Sequence, residues 1–301
     1  MRIFSSLAQV TTPCDVALGN FDGVHLGHQA VIRTVLERSG GGTPTVLTFE
    51  PHPREFFSGR TGFLLTPRAQ KLEQIKSLGI EQVVVLPFDA DLARMNALSF
   101  VVEVLQGGLQ AKFVSVGWNF RFGKGREGTT EMLEQFAQQN GLALEVIAEQ
   151  RLAGQPVSSS VIREALSRGE VERASRLLGY AYSLEGEVVP GDRRGRSLGF
   201  PTANVQVDTR KFLPADGVYL VQVTWDTLTR WGLLNIGVRP TFAGRTRSVE
   251  VHLLDWDDDL YGRHLRLTLL YYLRPERQFG GIEELRAQLE QDRIRALTLI
   301  Q

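Results

Sequence analysis

Short apolar runs alternate with helical patterns along the first half of the chain. The runs that predict buried strands cover residues 16–18, 44–49, 82–86, 112–116 and 142–148. The segments whose apolar residues recur at helical spacing cover residues 29–36, 66–79, 100–105 and 130–139. Thr66 and Pro67 suit the N-cap and the first turn of the second of these helices. Strands that alternate with helices predict a parallel sheet that is covered on both faces.

The pattern changes near residue 180. The spacing predicts a short linking helix over residues 169–179, which a glycine ends. The strands predicted beyond it cover residues 182–189, 217–223, 231–236, 249–254 and 265–272. Short strands without helices between them predict a small antiparallel barrel, and a helix from 281 to about 298, with Ile282, Leu285 and Leu289 on one face, follows it. We therefore expect two domains, 1–180 and 181–301.

The charge of the chain is balanced, with 34 basic and 34 acidic residues among 301. This neutrality argues against nucleic acid or an anionic membrane as a partner. No apolar run approaches the ~20 residues of a membrane span, and the N-terminus lacks the apolar core of a signal peptide. We expect a cytoplasmic protein in which the single cysteine, Cys14, is buried. The oligomeric state is left open.

The stretch from Gly19 to His28 joins a predicted strand to a predicted helix. The N–H groups at the start of a helix have no partner within the helix and attract anions, phosphates above all. Gly23 and Gly27 allow a ligand to approach the backbone closely. His25 and His28 lie three positions apart and can reach into the same space. This stretch therefore predicts a nucleotide-phosphate site.

Three further loops follow predicted strands and are expected at the same edge of the sheet. They carry His52 and Phe57, then Asn119, then residues 158–163. Each signal is weak alone: His52 is also typical of a turn, and the serines at 158–160 are also typical of an N-cap cluster. Their shared placement favours a nucleotide pocket.

Two stretches of the predicted barrel also carry candidate chemistry. Residues 191–204 combine glycines with basic residues, which is typical of a phosphate flap and also of a basic turn before a strand. Thr202 and Asn204 face the same way on an extended segment, and their side-chain oxygens suit Mg²⁺. Glu250 and His252 share one face of an alternating strand. Glu250 is a general base if it faces a cleft, and a solvated surface residue if it does not.

The motifs of the first half resemble those of a known family. His25 to His28, together with residues 158–163, is similar to the nucleotidyltransferase superfamily related to class I aminoacyl-tRNA synthetases, but the Lys-Met-Ser-Lys-type loop of the synthetases is missing. The strings 19–28, 48–53 and 119–123 resemble the FMN adenylyltransferase module of bacterial bifunctional riboflavin kinase/FAD synthetases. The resemblance implies a Rossmann-like α/β nucleotidyltransferase domain with a parallel sheet.

That resemblance also assigns site residues. It implies an ATP site formed by Gly19, Phe21, Asp22, Gly23, His25, Gly27, His28, Ser158, Ser159, Ser160 and Arg163. It implies FMN contacts for His52, Phe57 and Asn119, and a catalytic role for His25, His28 and Arg163. The family usually has threonine where Ser160 stands and often an acidic residue where Asn119 stands, and Trp118 is an unusual neighbour on the flavin side.

The second half resembles the riboflavin kinase module of the same family, through residues 191–204, 217–219, 235–242, 250–252 and 274–279. The resemblance implies a small antiparallel β-barrel with a C-terminal helix, a Mg²⁺ site at Thr202 and Asn204, and Glu250 as the catalytic base. It implies ATP or flavin contacts for Gly191, Arg196, Gly199, Phe200, Pro201, Thr202, Asn204, Asn235, Glu250 and Arg274.

The whole pattern implies ATP-dependent phosphorylation of riboflavin to FMN, followed by adenylylation of FMN by a second ATP to give FAD and pyrophosphate. Mg²⁺ is the implied cofactor, and the implied partners are the small molecules riboflavin, FMN and ATP. Two other hypotheses stay open. One is a monofunctional nucleotidyltransferase whose barrel only binds a partner or RNA, against which residues 201–204 and Glu250 argue. The other is a flavin-binding regulator without catalysis, against which the retained phosphate motifs argue.

Overall fold

The chain folds into two compact units, Met1–Ser159 and Ser160–Gln301. The computed structural model describes residues 1–38, 41–191, 200–241, 244–256 and 258–300. Arg196 and Gly199, two of the residues predicted to bind ATP or flavin, lie outside the described residues.

A parallel sheet of six strands forms the centre of the first unit. Its strands are β1 Arg2–Phe4, β2 Cys14–Leu18, β3 Thr43–Glu50, β4 Gln82–Pro87, β5 Phe113–Gly117 and β6 Ala143–Ile147. Their order is β1-β4-β3-β2-β5-β6, and all pairs are parallel. The predicted parallel sheet is confirmed, with β1 as an additional edge strand. The chain order reverses at β2, which is the place where ligands bind in such sheets.

The sheet is covered on both faces, as predicted. Successive residues of a strand point to opposite faces, so Val16 and Leu18 of β2 belong to one apolar cluster and Ala17 to another. The first cluster includes Phe100, and the second includes Ile32. Every residue of β2 is buried, so the loop that follows it starts from a fully packed strand.

The helical segments of the first unit are α1 Leu26–Glu37, α2 Pro53–Ser58, α3 Arg68–Ser77, α4 Ala90–Arg94, α5 Ala97–Ser99, a π-helical segment Phe100–Gly108 and α6 Thr130–Asn140, with 3₁₀ turns at Leu7–Gln9 and Lys124–Arg126. A small hairpin pairs β7 Arg151–Leu152 with β8 Gln155–Pro156. Thr66 does not cap α3, contrary to the prediction. Its hydroxyl accepts a hydrogen bond from the Gly23 N–H at 2.8 Å, and α3 has no side-chain cap.

The second unit contains a closed antiparallel barrel, as predicted. Its strands are β9 Ser183–Val189, β10 Ala203–Val207, β11 Gly217–Trp225, β12 Leu228–Thr241, β13 Gly244–Leu253 and β14 His264–Pro275. They follow one another around the barrel in the order β10-β13-β12-β11-β14-β9. Strand β10 was not predicted, because residues 203–207 follow a Gly- and Arg-rich stretch and are largely exposed on one face. It closes the barrel by pairing with both β9 and β13.

Two helices that precede residue 181 pack with the barrel. They are α7 Ser159–Ser167, which belongs to the second unit from Ser160 onward, and α8 Val171–Leu178. The Leu166 carbonyl of α7 accepts a hydrogen bond from the Ala215 N–H at 2.9 Å, and α8 packs against β14. The barrel therefore contributes to holding both helices in place.

Helix α9, Ile282–Ile300, is fixed to the barrel by a buried ion pair. Ile282, placed by the sequence on the same face as Leu285 and Leu289, is 66 % exposed. The buried positions are Asp292 and Ala296 instead. Asp292 accepts hydrogen bonds from the Arg274 guanidinium of β14 at 2.8 to 3.0 Å and from Gln288 at 2.8 Å.

Replacing Asp292 with alanine is expected to lower the free energy of unfolding by up to about 3–5 kcal/mol, because it leaves the half-buried Arg274 charge without its partner. The matched control is Glu290→Ala, which removes an exposed pair with Arg293 and should cost less than about 1 kcal/mol. Urea unfolding followed by tryptophan fluorescence measures both, since three of the four tryptophans lie in the second unit. Equal effects of the two variants would contradict a structural role for this pair.

Candidate functional sites

The loop after β2 has an unusual backbone. Phe21, Gly23 and Val24 have φ values of 50°, 90° and 36°. A left-handed conformation costs a residue other than glycine about 1–3 kcal/mol and persists only where neighbouring structure enforces it. Packing helps to hold this loop in its left-handed conformation, because Phe21 and Val24 are each 1 % exposed. Such strained and fully packed loops cluster at functional sites.

Hydrogen bonds from two other parts of the chain also hold this loop. The Asp22 carboxylate accepts from the Thr66 N–H at 3.1 Å, and the Thr66 hydroxyl accepts in return from the Gly23 N–H. The Ser159 hydroxyl donates to the Asp22 carbonyl at 2.9 Å. The structure thus brings Ser159 to the loop Gly19–His25, as the sequence predicted. Thr66, which the sequence placed only on a helix, supports the same loop.

His25 and His28 form a stacked pair at the start of α1. Their ring centroids lie 3.6 Å apart with the planes 17° from parallel. His25 is the N-cap, and its Nδ1 accepts from the His28 N–H at 3.3 Å, so the neutral ring carries its proton on Nε2. Burial, followed by the charges of His25, Lys71 and His52, lowers the pKa of His28 well below its usual value. His28 is therefore a neutral hydrogen-bonding group near pH 7.

The protonation of His28 predicts how stability depends on pH. Below about pH 6.5 the unfolded chain binds a proton at position 28 that the folded chain excludes, so the free energy of unfolding should decrease with decreasing pH by up to about 1.4 kcal/mol per pH unit. His28→Asn should remove this contribution, whereas the same change at the exposed His264 should not. Urea unfolding at several pH values provides the measurement, and identical slopes for both variants would contradict the prediction.

Lys71 is a residue of this site that the sequence did not reveal. It lies on α3, is 4 % exposed, and its Nζ atom is 3.3 Å from the Asn20 carbonyl oxygen and 3.2 Å from the Thr48 hydroxyl. The available signal was its spacing from Ile75 and Leu78, which places a charged residue on the apolar face of the helix.

Of the residues predicted on the FMN side, His52 and Phe57 lie at the N-cap of α2 and within it, after β3, and Asn119 lies in the turn after β5. His52 caps α2 by accepting from the Arg54 N–H, and its charge contributes to the low pKa of His28. Phe57 is 68 % exposed and has edge contacts with Phe56 and Phe88. Asn119 is exposed in the turn after β5. An exposed phenylalanine beside other aromatic rings offers a flat apolar surface on which a flavin ring can pack.

The serine run opens α7. Ser159 is the first residue of the helix, Ser158 precedes it and is half-buried, and Ser160 is exposed in the first turn. Arg163 is half-buried one turn later. Because the Ser159 hydroxyl donates to Asp22, the run does more than cap its own helix.

The barrel aligns three polar side chains across three neighbouring strands. Glu250 of β13 is paired with Asn204 of β10 on one side and with Asn235 of β12 on the other. Directly paired residues of antiparallel strands project to the same face, so the three form a row. Glu250 is half-buried and accepts from the Thr202 hydroxyl at 3.4 Å and the Ser248 hydroxyl at 3.3 Å. Thr202, Asn204, Asn235 and Glu250 therefore come together.

Four other predicted barrel residues lie in the described part of the chain. A Cβ on Gly191 would lie 2.0 Å from the Asn204 side chain, so any other residue there would displace that side chain. The Pro201 carbonyl lies 2.8 Å from His252 Nδ1, and the Phe200 ring has an edge contact with His252. Arg274 is bound to Asp292, as described above, so its ligand-binding role remains a prediction with a competing structural explanation.

The two units define a class of protein. One has a strained strand–loop–helix segment with a stacked histidine pair at its switch strand, and the other is a β-barrel with a cluster of carboxylate, amide and hydroxyl groups. The FAD synthetase family matches residues 7–161 and the riboflavin kinase family matches residues 178–300. The chain belongs to the bifunctional riboflavin kinase/FMN adenylyltransferase family, and both matched domains are enzymes.

Full-length relatives support this assignment. The bifunctional riboflavin kinase/FMN adenylyltransferase of Escherichia coli strain K12 is 38 % identical over 287 residues, which cover 94 % of this chain and 91 % of that protein. The protein of the same name from Bacillus subtilis strain 168 is 38 % identical over 292 residues, with 94 % and 91 % covered. A solved structure from Streptococcus pneumoniae, described as a macrolide-efflux protein, matches with a TM-score of 0.87 at 28 % identity over 97 % of both chains. Among the described helices of this chain, none is long and apolar enough to cross a membrane.

Proposed function

We propose that this chain makes FAD from riboflavin in two ATP-dependent reactions. Residues 181–301 phosphorylate riboflavin to FMN, and residues 1–180 transfer the adenylyl group of a second ATP to FMN. The observation that carries the proposal is that one chain holds both a strained loop before α1 with a stacked histidine pair and, on the barrel, a row of Asn204, Glu250 and Asn235. Both reactions consume ATP, and the proposal includes a cytoplasmic location and no nucleic-acid partner.

The kinase reaction needs a base. The ribityl 5′-hydroxyl of riboflavin is a poor nucleophile at neutral pH, and a carboxylate that accepts its proton accelerates attack on the γ-phosphate about 10²–10⁴-fold. Glu250 is proposed as that base, because it is half-buried and oriented by Thr202 and Ser248. Asn235, next to it in the row, and Phe200 are proposed to position ATP or flavin.

The oxygen atoms around Glu250 fit Mg²⁺. Thr202 and Asn204 supply a hydroxyl and an amide oxygen, which are hard ligands of the kind that Mg²⁺ accepts beside water and phosphate. Among the described residues no group of three His, Cys, Asp or Glu is arranged to hold a metal ion. When bound, Mg²⁺ would neutralise the charge of the transferring phosphates.

The adenylylation reaction needs positioning rather than a base. The FMN phosphate is already an anion, and it attacks the α-phosphate of ATP while pyrophosphate leaves. His25 and His28 are proposed to donate hydrogen bonds to phosphate oxygens, with about 0.3–1 kcal/mol of help from the N-terminus of α1. Ser158, Ser159, Ser160 and Arg163 are proposed to hold the pyrophosphate, and His52, Phe57 and Asn119 to contact FMN.

One assay separates this proposal from its rivals. The purified chain is incubated with riboflavin, ATP and Mg²⁺, and the flavins are separated by chromatography over time. FMN that appears first and is then converted to FAD supports the proposal. FAD formed only from supplied FMN supports a monofunctional nucleotidyltransferase, and flavin binding without any product supports a flavin-binding regulator.

A further inference from the structure

Lys71 is a buried cation that contacts the loop Gly19–His25, and the proposed chemistry assigns it no role. Its Nζ atom lies within hydrogen-bond distance of the Asn20 carbonyl, the Thr48 hydroxyl and, at 3.5 Å, the Phe49 carbonyl. Burying an ammonium group is costly unless it is fully hydrogen-bonded, and a methionine or leucine would fill the same position on α3 without that cost. A buried lysine at this position therefore calls for a reason beyond packing.

The contacts of Lys71 determine the direction of one peptide group. The Asn20 carbonyl accepts from Lys71 and also from the Thr48 hydroxyl at 3.1 Å. In a trans peptide the C=O and the next N–H point in opposite directions, so holding the Asn20 oxygen at Lys71 turns the Phe21 N–H away from it. Helix α3 thus holds the loop at two points, through Lys71 at Asn20 and through Thr66, just before the helix, at Gly23.

The charge of Lys71 also acts on the histidine pair. The charged groups around Lys71 are Glu50 at the end of β3, Asp22 in the loop, Glu55 on α2 and Arg68 on α3. Burial lowers the pKa of Lys71, and Arg68 does the same, whereas the three carboxylates raise it. Toward His28 on α1, Lys71 acts together with His25 and His52 to lower the pKa of the imidazole.

We propose that Lys71 is a positioning residue of the adenylylation reaction. Its ammonium group holds the Asn20 peptide in the orientation that directs the Phe21 N–H toward the phosphates of ATP. After burial and His25, its charge also helps to lower the pKa of His28. The proposal rests on the proposed function of the first unit. It gives Lys71, which lies outside the recognised motifs, a role in the adenylylation reaction.

The test compares Lys71→Met with Lys76→Met, since Lys76 is an exposed lysine in the last turn of the same helix. For Lys71→Met we expect kcat/KM for FAD formation to fall about 10- to 100-fold, as is typical when hydrogen bonds to a charged group are lost, and kcat to fall more than the KM for FMN changes. Riboflavin phosphorylation by the same preparation should stay within about twofold, as expected when the fold is intact. Lys76→Met should change neither activity.

A second measurement tests the charge directly. NMR titration of His28 in the full chain without ligands should show a higher pKa in Lys71→Met, and a pKa close to that of the unaltered chain in Lys71→Arg, which keeps the charge. An unchanged His28 titration together with unchanged FAD formation overturns the proposal. If Lys71→Met lowers both activities, the comparison is repeated with Lys71→Gln, which keeps a hydrogen-bond donor but not the charge. The proposal is then overturned if Lys71→Gln changes both activities in parallel or changes neither. If the unaltered chain makes no FAD, the proposed function fails instead, and the titration still tests Lys71.

Discussion

Replacing Glu250 with alanine should stop riboflavin phosphorylation while the conversion of supplied FMN to FAD continues. The loss of a general base is expected to slow the kinase reaction by about 10²–10⁴-fold. The adenylylation reaction should be unaffected, because its nucleophile is already ionised and its proposed residues lie on other elements. Parallel assays that start from riboflavin and from FMN measure the two activities of the same preparation.

Two control variants test whether the effect is specific to Glu250 and to its basicity. Glu187 is an exposed glutamate on β9 of the same barrel, and its replacement by alanine should leave both activities unchanged. Glu250→Gln keeps a side chain that Thr202 and Ser248 can contact, so a loss as large as that of the alanine variant indicates that basicity is what matters. An equal loss of both activities in Glu250→Ala would contradict a model with two separate sites.

Replacing His28 with alanine should produce the opposite result. Removing one preorganised hydrogen-bond donor to a developing anion typically lowers kcat by about 10²–10³-fold, and FAD formation from FMN should fall by at least that amount. Riboflavin phosphorylation should continue at its original rate. Because His28 stacks on His25, the variant also removes a neighbour that orients the second imidazole, and the effect is expected to exceed that of losing one contact.

The matched control is the exposed His264 at the start of β14. His264→Ala should leave FAD formation unchanged, which excludes a general effect of losing a histidine. Stopped-flow or chromatographic measurement of FAD formation from FMN resolves the difference over the expected range. Normal adenylylation by His28→Ala would exclude the histidine pair from the reaction.

The sequence predicted those elements whose cause is local. Strands β2 to β5 were visible because strands buried on both faces consist largely of continuous apolar residues, and the half-buried edge strand β6 was visible because most of its residues are apolar. By contrast, β1 and β10 were missed, because one is a short edge strand and the other is partly exposed. The packed face of α9 was misjudged at Ile282, since the helix is held by the ion pair of Asp292 with Arg274 and by Ala296 and Ile300, which pack in the barrel cluster.

Site residues divide in the same way. The loop Gly19–His25, the histidine pair, the serine run and Glu250 were found from short motifs, because phosphate binding at a helix start needs particular residues at fixed spacing. Thr66 and Lys71 were missed as parts of the site. Both act through hydrogen bonds to a loop more than 40 positions earlier in the chain, two for Thr66 and one for Lys71. A local sequence pattern does not reveal a hydrogen bond between residues so far apart in the chain.

The sequence by itself therefore determined the elements, the two-part organisation and the residue types that chemistry requires, because those depend on interactions between near neighbours in the chain. Only the tertiary structure decided the strand order that places β2 at the switch point, and the register that aligns Asn204, Glu250 and Asn235. Order and register arise from pairings between distant segments, where many alternatives satisfy the same local pattern. The packing of the whole domain selects one of them.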